Sequence, residues 1–223
     1  GELLLDLITE ILDCSRLEAG RVALESAPFD PEGTMQDVAE LLSPKARGKN
    51  LELSVIVRNG APTRVSGDDG RLRQILFNLA GNAVKFTEAG GVVLEMLPRP
   101  NQRLRFNVRD TGPGVPEEKQ ALIFEEFSQA DAGVSRRYGG AGLGLAIVDR
   151  LAAMLEHPIA VASAPRKGSR FSITVPKVPA RPAVPPVASP RETPSDHLRG
   201  KLVVVIDDDA LILLGCQLAL GAG

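Results

Sequence analysis

The sequence predicts a domain of the mixed α/β class. Three stretches, 30–49, 70–86 and 143–155, place apolar residues at helical spacing and are expected to form amphipathic helices. Alternating or apolar runs typical of strands fall at 22–29, 51–57, 92–97, 104–108, 159–162 and 170–175. The turn residues at 99–101 separate two of these runs, so we expect a hairpin there. Short helical pieces are expected at 116–127, and a mobile glycine-rich loop at 128–141.

The composition divides the chain into four regions. Residues 1–20 are typical of the end of an amphipathic helix, which suggests excision from a longer protein. Residues 21–177 are expected to be the main domain, and the proline-rich residues 178–199 a semi-extended linker. Residues 200–223 begin with a buried-type strand and an acidic triplet, and an apolar stretch follows. That is a single βα unit, which is too short to fold alone.

Bulk composition excludes several classes of function. The 223 residues carry a formal net charge of -2, which gives no reason to expect binding to nucleic acid or to an anionic membrane. Cys14 and Cys216 lie in apolar patterns and are expected to be buried free thiols. With two histidines and no cysteine cluster, a zinc site is not expected. The chain has neither a membrane-length apolar run nor a signal peptide, so we expect a cytoplasmic location, although the parent protein could be membrane-anchored.

The segment 78–87 places two carboxamides and a cation on one predicted helix. Asn78 and Asn82 are four residues apart and share a face, which Lys85 flanks. A carboxamide oxygen can complete the shell of a phosphate-bound Mg²⁺, and a lysine can neutralise phosphate oxygens. Alternatively, these are ordinary helix-surface residues, or a capping run that includes Thr87.

Asp110 follows the predicted strand 104–108 and opens the glycine turn 110–115. A carboxylate in this position can accept a hydrogen bond from the exocyclic amine of adenine, and the glycines allow the backbone to approach closely. The alternative is a simple Asp-Thr-Gly turn.

The third segment, 139–145, is a glycine run that opens the helix 143–155. Gly140, Gly142 and Gly144 leave backbone N–H groups free to meet phosphate. The residues at 136–138 precede this run, and their cations could fold over a triphosphate. Alternatively, they belong to a solvated charged loop. Taken alone, the segment 124–127 is better explained as core aromatics with a solvated acidic pair.

In this order, the segments resemble the catalytic and ATP-binding domain of bacterial sensor histidine kinases, within the wider ATPase fold of gyrase and heat-shock chaperones. Segment 78–87 resembles the asparagine box, 110–115 the first glycine box, 124–127 the phenylalanine box and 139–145 the second glycine box. Residues 3–20 resemble the end of the second dimerisation helix, and 201–220 the start of a receiver domain with the acidic pair Asp207 and Asp208. The resemblance implies a fragment of a hybrid kinase. It implies a two-layer α/β (α+β) sandwich, in which helices cover one face of a mixed, mainly antiparallel sheet.

The resemblance also implies that ATP and Mg²⁺ are the cofactors. Asn82 would ligate the metal, Asn78 would support it, and Lys85 would contact phosphate, which gives Asn78 and Lys85 catalytic roles. Asp110 would hold the adenine. The other implied nucleotide contacts are Gly112, Gly114, Val115, Phe127, Arg137, Tyr138, Gly140, Gly142, Leu143 and Gly144. The parent protein would be a homodimer that passes the γ-phosphoryl group to a histidine on a missing helix, and then to its receiver.

Two departures from the family pattern matter. Neither His157 nor His197 lies in a motif like that of the phosphoacceptor, so we expect this chain to bind ATP without phosphorylating itself. Ala141 stands where the second glycine box usually has a hydroxyl residue. The loss of one hydrogen bond there would weaken nucleotide binding by about 0.5–1.5 kcal/mol.

Three other functions share parts of this pattern. A hydrolytic ATPase of the gyrase or mismatch-repair class would place a glutamate base at the position of Asn78, and a carboxamide cannot take a proton from water. A degenerate binding module would not need the asparagines, Asp110 and Lys85. A serine kinase of the anti-sigma type would lack the flanking dimerisation helix and receiver.

Overall fold

The computed structural model describes residues 24–100, 103–126, 128 and 142–176. In chain order, the elements are β1 (Ala27–Phe29), α1 (Pro31–Gly48), β2 (Glu52–Val57), β3 (Val65–Gly67), α2 (Asp69–Phe86), β4 (Gly91–Arg99), β5 (Arg103–Asp110), α3 (Gly144–Met154), β6 (Ile159–Ser163) and β7 (Ser169–Pro176). Two 3₁₀ turns, Glu117–Lys119 and Leu122–Phe124, follow β5, where short helical pieces are predicted. The three predicted helices are confirmed to within one residue or so at each end.

Five strands form one sheet in the order β2-β4-β5-β7-β6. Strand β2 pairs with β4 in parallel, and the other three pairings are antiparallel. The parallel pair requires a crossover connection, which β3 and α2 provide. Strands β1 and β3 form a separate antiparallel pair. The expected mixed, mainly antiparallel sheet is therefore confirmed.

The helices pack on one face of this sheet. Leu104, Phe106 and Val108 alternate along β5 and are at most 1% exposed, so their side chains point into the same core. Apolar side chains at helical spacing on α2, including Ile75 and Leu79, join that core. The opposite face of the sheet is more polar and carries a hydrogen-bonded pair, in which Asn107 Nδ2 donates to Glu95 Oε2 at 2.9 Å.

Aspartate caps fix the starts of the first two helices. Asp30 Oδ1 accepts from the Glu32 N–H at 3.0 Å, and Pro31 occupies the first turn of α1. Asp68 Oδ1 accepts from the Arg71 N–H at 2.9 Å at the start of α2. This second cap sets where α2 begins, and the apolar spacing along α2 sets which of its residues face the sheet.

Two short strands differ from what the sequence predicts. The strand predicted over 22–29 is observed as Ala27–Phe29, and residues 22–23 lie outside the described part of the chain. The three-residue strand β3 is not predicted, because so short a run shows no periodicity and exists only by pairing with β1.

Among the described residues, no helix is both long and apolar enough to span a bilayer.

Candidate functional site

Helix α2 carries the polar side chains predicted to form one wall of the site. Asn78, Asn82 and Lys85 are half-buried, whereas Leu79 and Ala83 between them are buried. The polar residues therefore line the edge of the packed face of α2 rather than its open side. This favours the interpretation of these residues as a ligand-binding face over that of ordinary helix-surface residues.

The start of α3 packs against this wall. Asn78 Nδ2 donates to the Gly144 carbonyl at 3.4 Å, and a Cβ at Gly144 would lie 3.7 Å from Asn82 Nδ2. Gly142 has a φ of +73°, a conformation that favours glycine. No side chain caps α3, so its first N–H groups have no side-chain acceptor among the described residues. The described part of the second glycine segment, residues 142–145, thus lies beside the asparagines.

Leu143 lies in this segment but differs from the residues around it. Its side chain is 1% exposed and belongs to the hydrophobic core, and its carbonyl accepts from the Ile147 N–H at 2.9 Å. Any contact that Leu143 makes with a ligand must therefore come from its backbone.

Asp110 ends β5 and is held by backbone donors. Its Oδ1 accepts from the Gly112 N–H at 2.9 Å and from the Ser169 N–H at 3.1 Å. Burial raises the pKa of Asp110 above its usual range, and the hydrogen bonds from Gly112 and Ser169, including one from the Ser169 side chain, partly oppose this rise. The carboxyl group is therefore oriented from two chain segments and partly removed from water.

The space beside Asp110 is small and polar. A Cβ at Gly112 would lie 3.0 Å from Asp110 Oδ1 and 3.2 Å from Thr87 Oγ1, so any larger residue would crowd both oxygens. The hydroxyl of Thr87 is buried and has no hydrogen-bond partner among the described residues. A buried polar atom without a partner is costly, and this one lies closed off from solvent close to Asp110. Thr87 follows α2 directly and links the two walls of the site.

Gly114 and Val115 shape the turn from behind. Gly114 has a φ of +70°, and a Cβ there would lie 1.9 Å from the Ala164 carbonyl oxygen, so only glycine fits. The Val115 N–H donates to Ser163 Oγ at 2.7 Å, which ties the turn to the end of β6. Both residues therefore fix the position of the Asp110 turn against the sheet.

The segment 124–127 is described only in part. The Phe124 ring meets Phe171 edge-on, with centroids 6.3 Å apart, and Glu126 forms an ion pair with Arg150 on α3. Phe124 therefore contributes to packing at this end of the core. Six predicted site residues lie outside the described part of the chain: Phe127, Arg137, Tyr138, Gly140, Asp207 and Asp208.

Within the described ranges, no three His, Cys, Asp or Glu side chains cluster to hold a metal ion. A cation at this site would need ligand oxygens of another kind. The half-buried carboxamide of Asn82, together with oxygens of an anionic ligand, is a set suited to Mg²⁺, which is usually bound through one or two protein groups and substrate phosphates. The residues present therefore fit such a metal.

Sequence reasoning missed Ser169 and gave Thr87 only a possible capping role. Ser169 lies 59 residues beyond Asp110, and its N–H is placed by the β5–β7 pairing, so no local signal marks it. Thr87 directly follows the asparagine segment, and this adjacency is the one signal that could have identified it.

The chain is similar in sequence to known proteins. A family model described as "Histidine kinase-, DNA gyrase B-, and HSP90-like ATPase" matches residues 67–179, just over half of the chain. The signal transduction histidine-protein kinase BarA of Escherichia coli is 42% identical over 172 residues, which are 75% of this chain and 19% of BarA. The circadian input-output histidine kinase CikA of Synechococcus elongatus is 38% identical over 224 residues, covering 100% of this chain and 29% of CikA.

A solved structure shows the same fold. The crystal structure of full-length ShkA in complex with AMPPNP has a TM-score of 0.72 and 46% sequence identity, and the match covers 78% of this chain and 36% of that chain. The chain thus spans well under half the length of each of these proteins. On the strength of the family model, the chain belongs to the histidine kinase-, DNA gyrase B- and HSP90-like ATPase family.

Proposed function

We propose that this chain is the ATP-binding catalytic region of a hybrid sensor histidine kinase. The observation that carries the proposal is that two segments meet the C-terminal half of α2. The start of α3 lies beside Asn78 and Asn82, and the Asp110 turn lies beside Thr87, which caps the helix. The proposed phosphate-binding and purine-binding regions thus both border helix α2.

The adenine is proposed to bind at Asp110. A carboxylate can accept about four hydrogen bonds. Gly112 and Ser169 supply two backbone bonds and one side-chain bond, which leaves capacity for an incoming amino group. An acceptor here favours adenine over guanine, because guanine carries a carbonyl oxygen at the corresponding ring position.

The phosphates are proposed to lie between α2 and the start of α3. The Asn82 carboxamide ligates Mg²⁺, with Asn78 in support, and the Lys85 ammonium neutralises phosphate charge. Free N–H groups around Gly142 and Gly144 meet phosphate oxygens. A Mg²⁺ ion held there would neutralise charge on the transferred phosphoryl group. Phe127, Arg137, Tyr138 and Gly140 remain predicted contacts from the adjoining segment.

The proposed reaction is phosphoryl transfer to a protein side chain. Asn78 stands where a hydrolytic enzyme would need a base, and it cannot take a proton from water. Transfer needs only positioning and charge stabilisation from this region. The acceptor histidine is proposed to lie on dimerisation helices of a homodimeric, cytoplasmic parent region. A receiver that begins with Asp207 and Asp208 would accept the phosphoryl group next.

Calorimetric titration with Mg-ATP tests the binding, and release of free phosphate tests the reaction class. We expect Mg²⁺-dependent binding and phosphate release far slower than that of a dedicated ATPase. We also expect that no phosphate is transferred to the chain itself. Rapid hydrolysis would instead favour the gyrase-type alternative. A chain that gave no heat with Mg-ATP would fit a degenerate binding module.

A further inference from the structure

The end of helix α1 is a rigid turn. The Leu51 N–H donates to the Ala46 carbonyl at 3.0 Å, and the Asn50 N–H donates to the Arg47 carbonyl at 3.0 Å. Asn50 has a φ of +55°, the left-handed conformation at which such turns close. Leu51 and Ala46 are both buried, so an apolar contact locks the turn. Lys49, the residue that caps α1, is therefore held in a defined orientation.

Lys49 reaches the end of a different helix. Its Nζ donates to the Val84 carbonyl at 2.9 Å and to the Lys85 carbonyl at 2.7 Å. The last carbonyls of a helix have no partner within that helix, and they form the negative end of its dipole. A lysine ammonium that bonds two of them satisfies both carbonyls and complements the dipole.

We propose that Lys49 is a positioning residue for nucleotide binding, which it supports by fixing the last turn of α2. This inference rests on the proposed function. The turn that Lys49 holds carries the Lys85 side chain and follows Asn82 directly, and Thr87 comes next. Lys49 donates to the backbone of this turn, so its effect on the ligand passes through the orientation of Lys85 and Asn82. Without Lys49 the turn frays, and the phosphate side of the site loses its alignment.

The test compares three variants of the whole chain. Lys49→Met keeps the length of the side chain but removes the donor, and Lys49→Arg restores a cationic donor. The matched control is Lys45→Met, which removes an exposed lysine from the last turn of the same helix. Mg-ATP and adenosine affinities are measured by calorimetry at a temperature where each variant is fully folded by circular dichroism. Hydrogen exchange of the amides at 84–87 is measured without nucleotide.

We expect Lys49→Met to weaken Mg-ATP binding about tenfold, because small displacements of positioning groups have large effects. Adenosine affinity should fall much less, since adenosine has no phosphates. The amides at 84–87 should exchange faster, Lys49→Arg should recover most of both properties, and Lys45→Met should match the parent chain. A purely structural role would lower the melting temperature without changing the ratio of the two affinities.

A folded Lys49→Met chain with parent-like protection or parent-like Mg-ATP affinity overturns the proposal, as does an equal effect of Lys45→Met. If Lys49→Met does not fold, Lys49→Arg decides, and a folded Lys49→Arg chain that loses protection overturns the proposal. If the unaltered chain does not bind Mg-ATP, the proposed function fails separately. The exchange data would then still decide whether Lys49 holds the turn.

Discussion

Replacement of Asp110 by asparagine should weaken ATP binding while stabilising the folded chain. Asparagine is nearly the same shape, and its Oδ1 can still accept from the Gly112 and Ser169 N–H groups. Its second atom becomes an NH₂ group, which faces the adenine amine as donor against donor. The loss of one hydrogen bond to a charged group costs about 1.5–3 kcal/mol. That corresponds to a roughly 10- to 150-fold weaker affinity for Mg-ATP.

The stability change has the opposite sign. Burial raises the pKa of Asp110, so at this group the folded chain binds a proton more tightly than the unfolded chain does. Its contribution to the free energy of unfolding therefore falls as pH rises from the free-aspartate value, about 3.9, through the raised pKa. Asparagine has no charge to desolvate. At neutral pH the Asp110→Asn chain should melt at a higher temperature than the parent.

Calorimetry with Mg-ATP and thermal melts at neutral pH measure both effects. Asp149→Asn is the matched control, because Asp149 is an exposed aspartate on α3. That variant should leave the affinity unchanged. Unchanged ATP affinity in Asp110→Asn, or a loss of affinity accompanied by a lower melting temperature, would refute the reasoning.

Three further predictions follow from particular contacts. Gly168→Ala should lower the free energy of unfolding measured in urea by about 2 kcal/mol or more, because Gly168 has a positive φ and its new Cβ would lie 2.0 Å from the Asp110 carbonyl oxygen. The control Gly48→Ala, whose new Cβ would meet nothing within 4 Å, should be neutral or stabilising. The pKa of Glu95 is lowered, chiefly by the hydrogen bond from Asn107, so its stabilisation is present above the ordinary glutamate pKa and is lost as pH falls through the lowered value. Urea unfolding across acidic pH should therefore show a loss in the parent chain that is smaller in Glu95→Gln, and parallel curves would contradict this. Calorimetry with and without EDTA should show that Asn82→Ala abolishes most of the Mg²⁺ dependence of ATP affinity, and an intact dependence would remove Asn82 from the metal site.

The sequence predicts the helices well because the apolar spacing of a helix is visible within one continuous stretch of residues. Helix α2 shows its apolar stripe, its Asp68 cap and its polar edge in one continuous segment. The parallel pairing of β2 with β4 has no comparable local mark. It arises because α2 carries the chain back to the end of the sheet at which β2 begins, so the partners are known only once the fold exists.

The residues of the candidate site also differ in whether a local sequence pattern marks them. Asn82 and Asp110 were identified because they lie in short motifs whose residues are adjacent in sequence. Ser169 and Lys49 were not, since each makes its hydrogen bonds to a segment that is distant in sequence. A lysine just beyond a helix is common, and only the carbonyls it meets distinguish it.

A crystal structure of the chain grown with Mg²⁺ and a non-hydrolysable ATP analogue tests the central claim most directly. We expect the adenine amino group within hydrogen-bonding distance of the Asp110 carboxylate, and the phosphates with their metal beside Asn82. An analogue bound elsewhere, or a pocket at Asp110 closed by protein side chains in the presence of saturating nucleotide, would contradict the account.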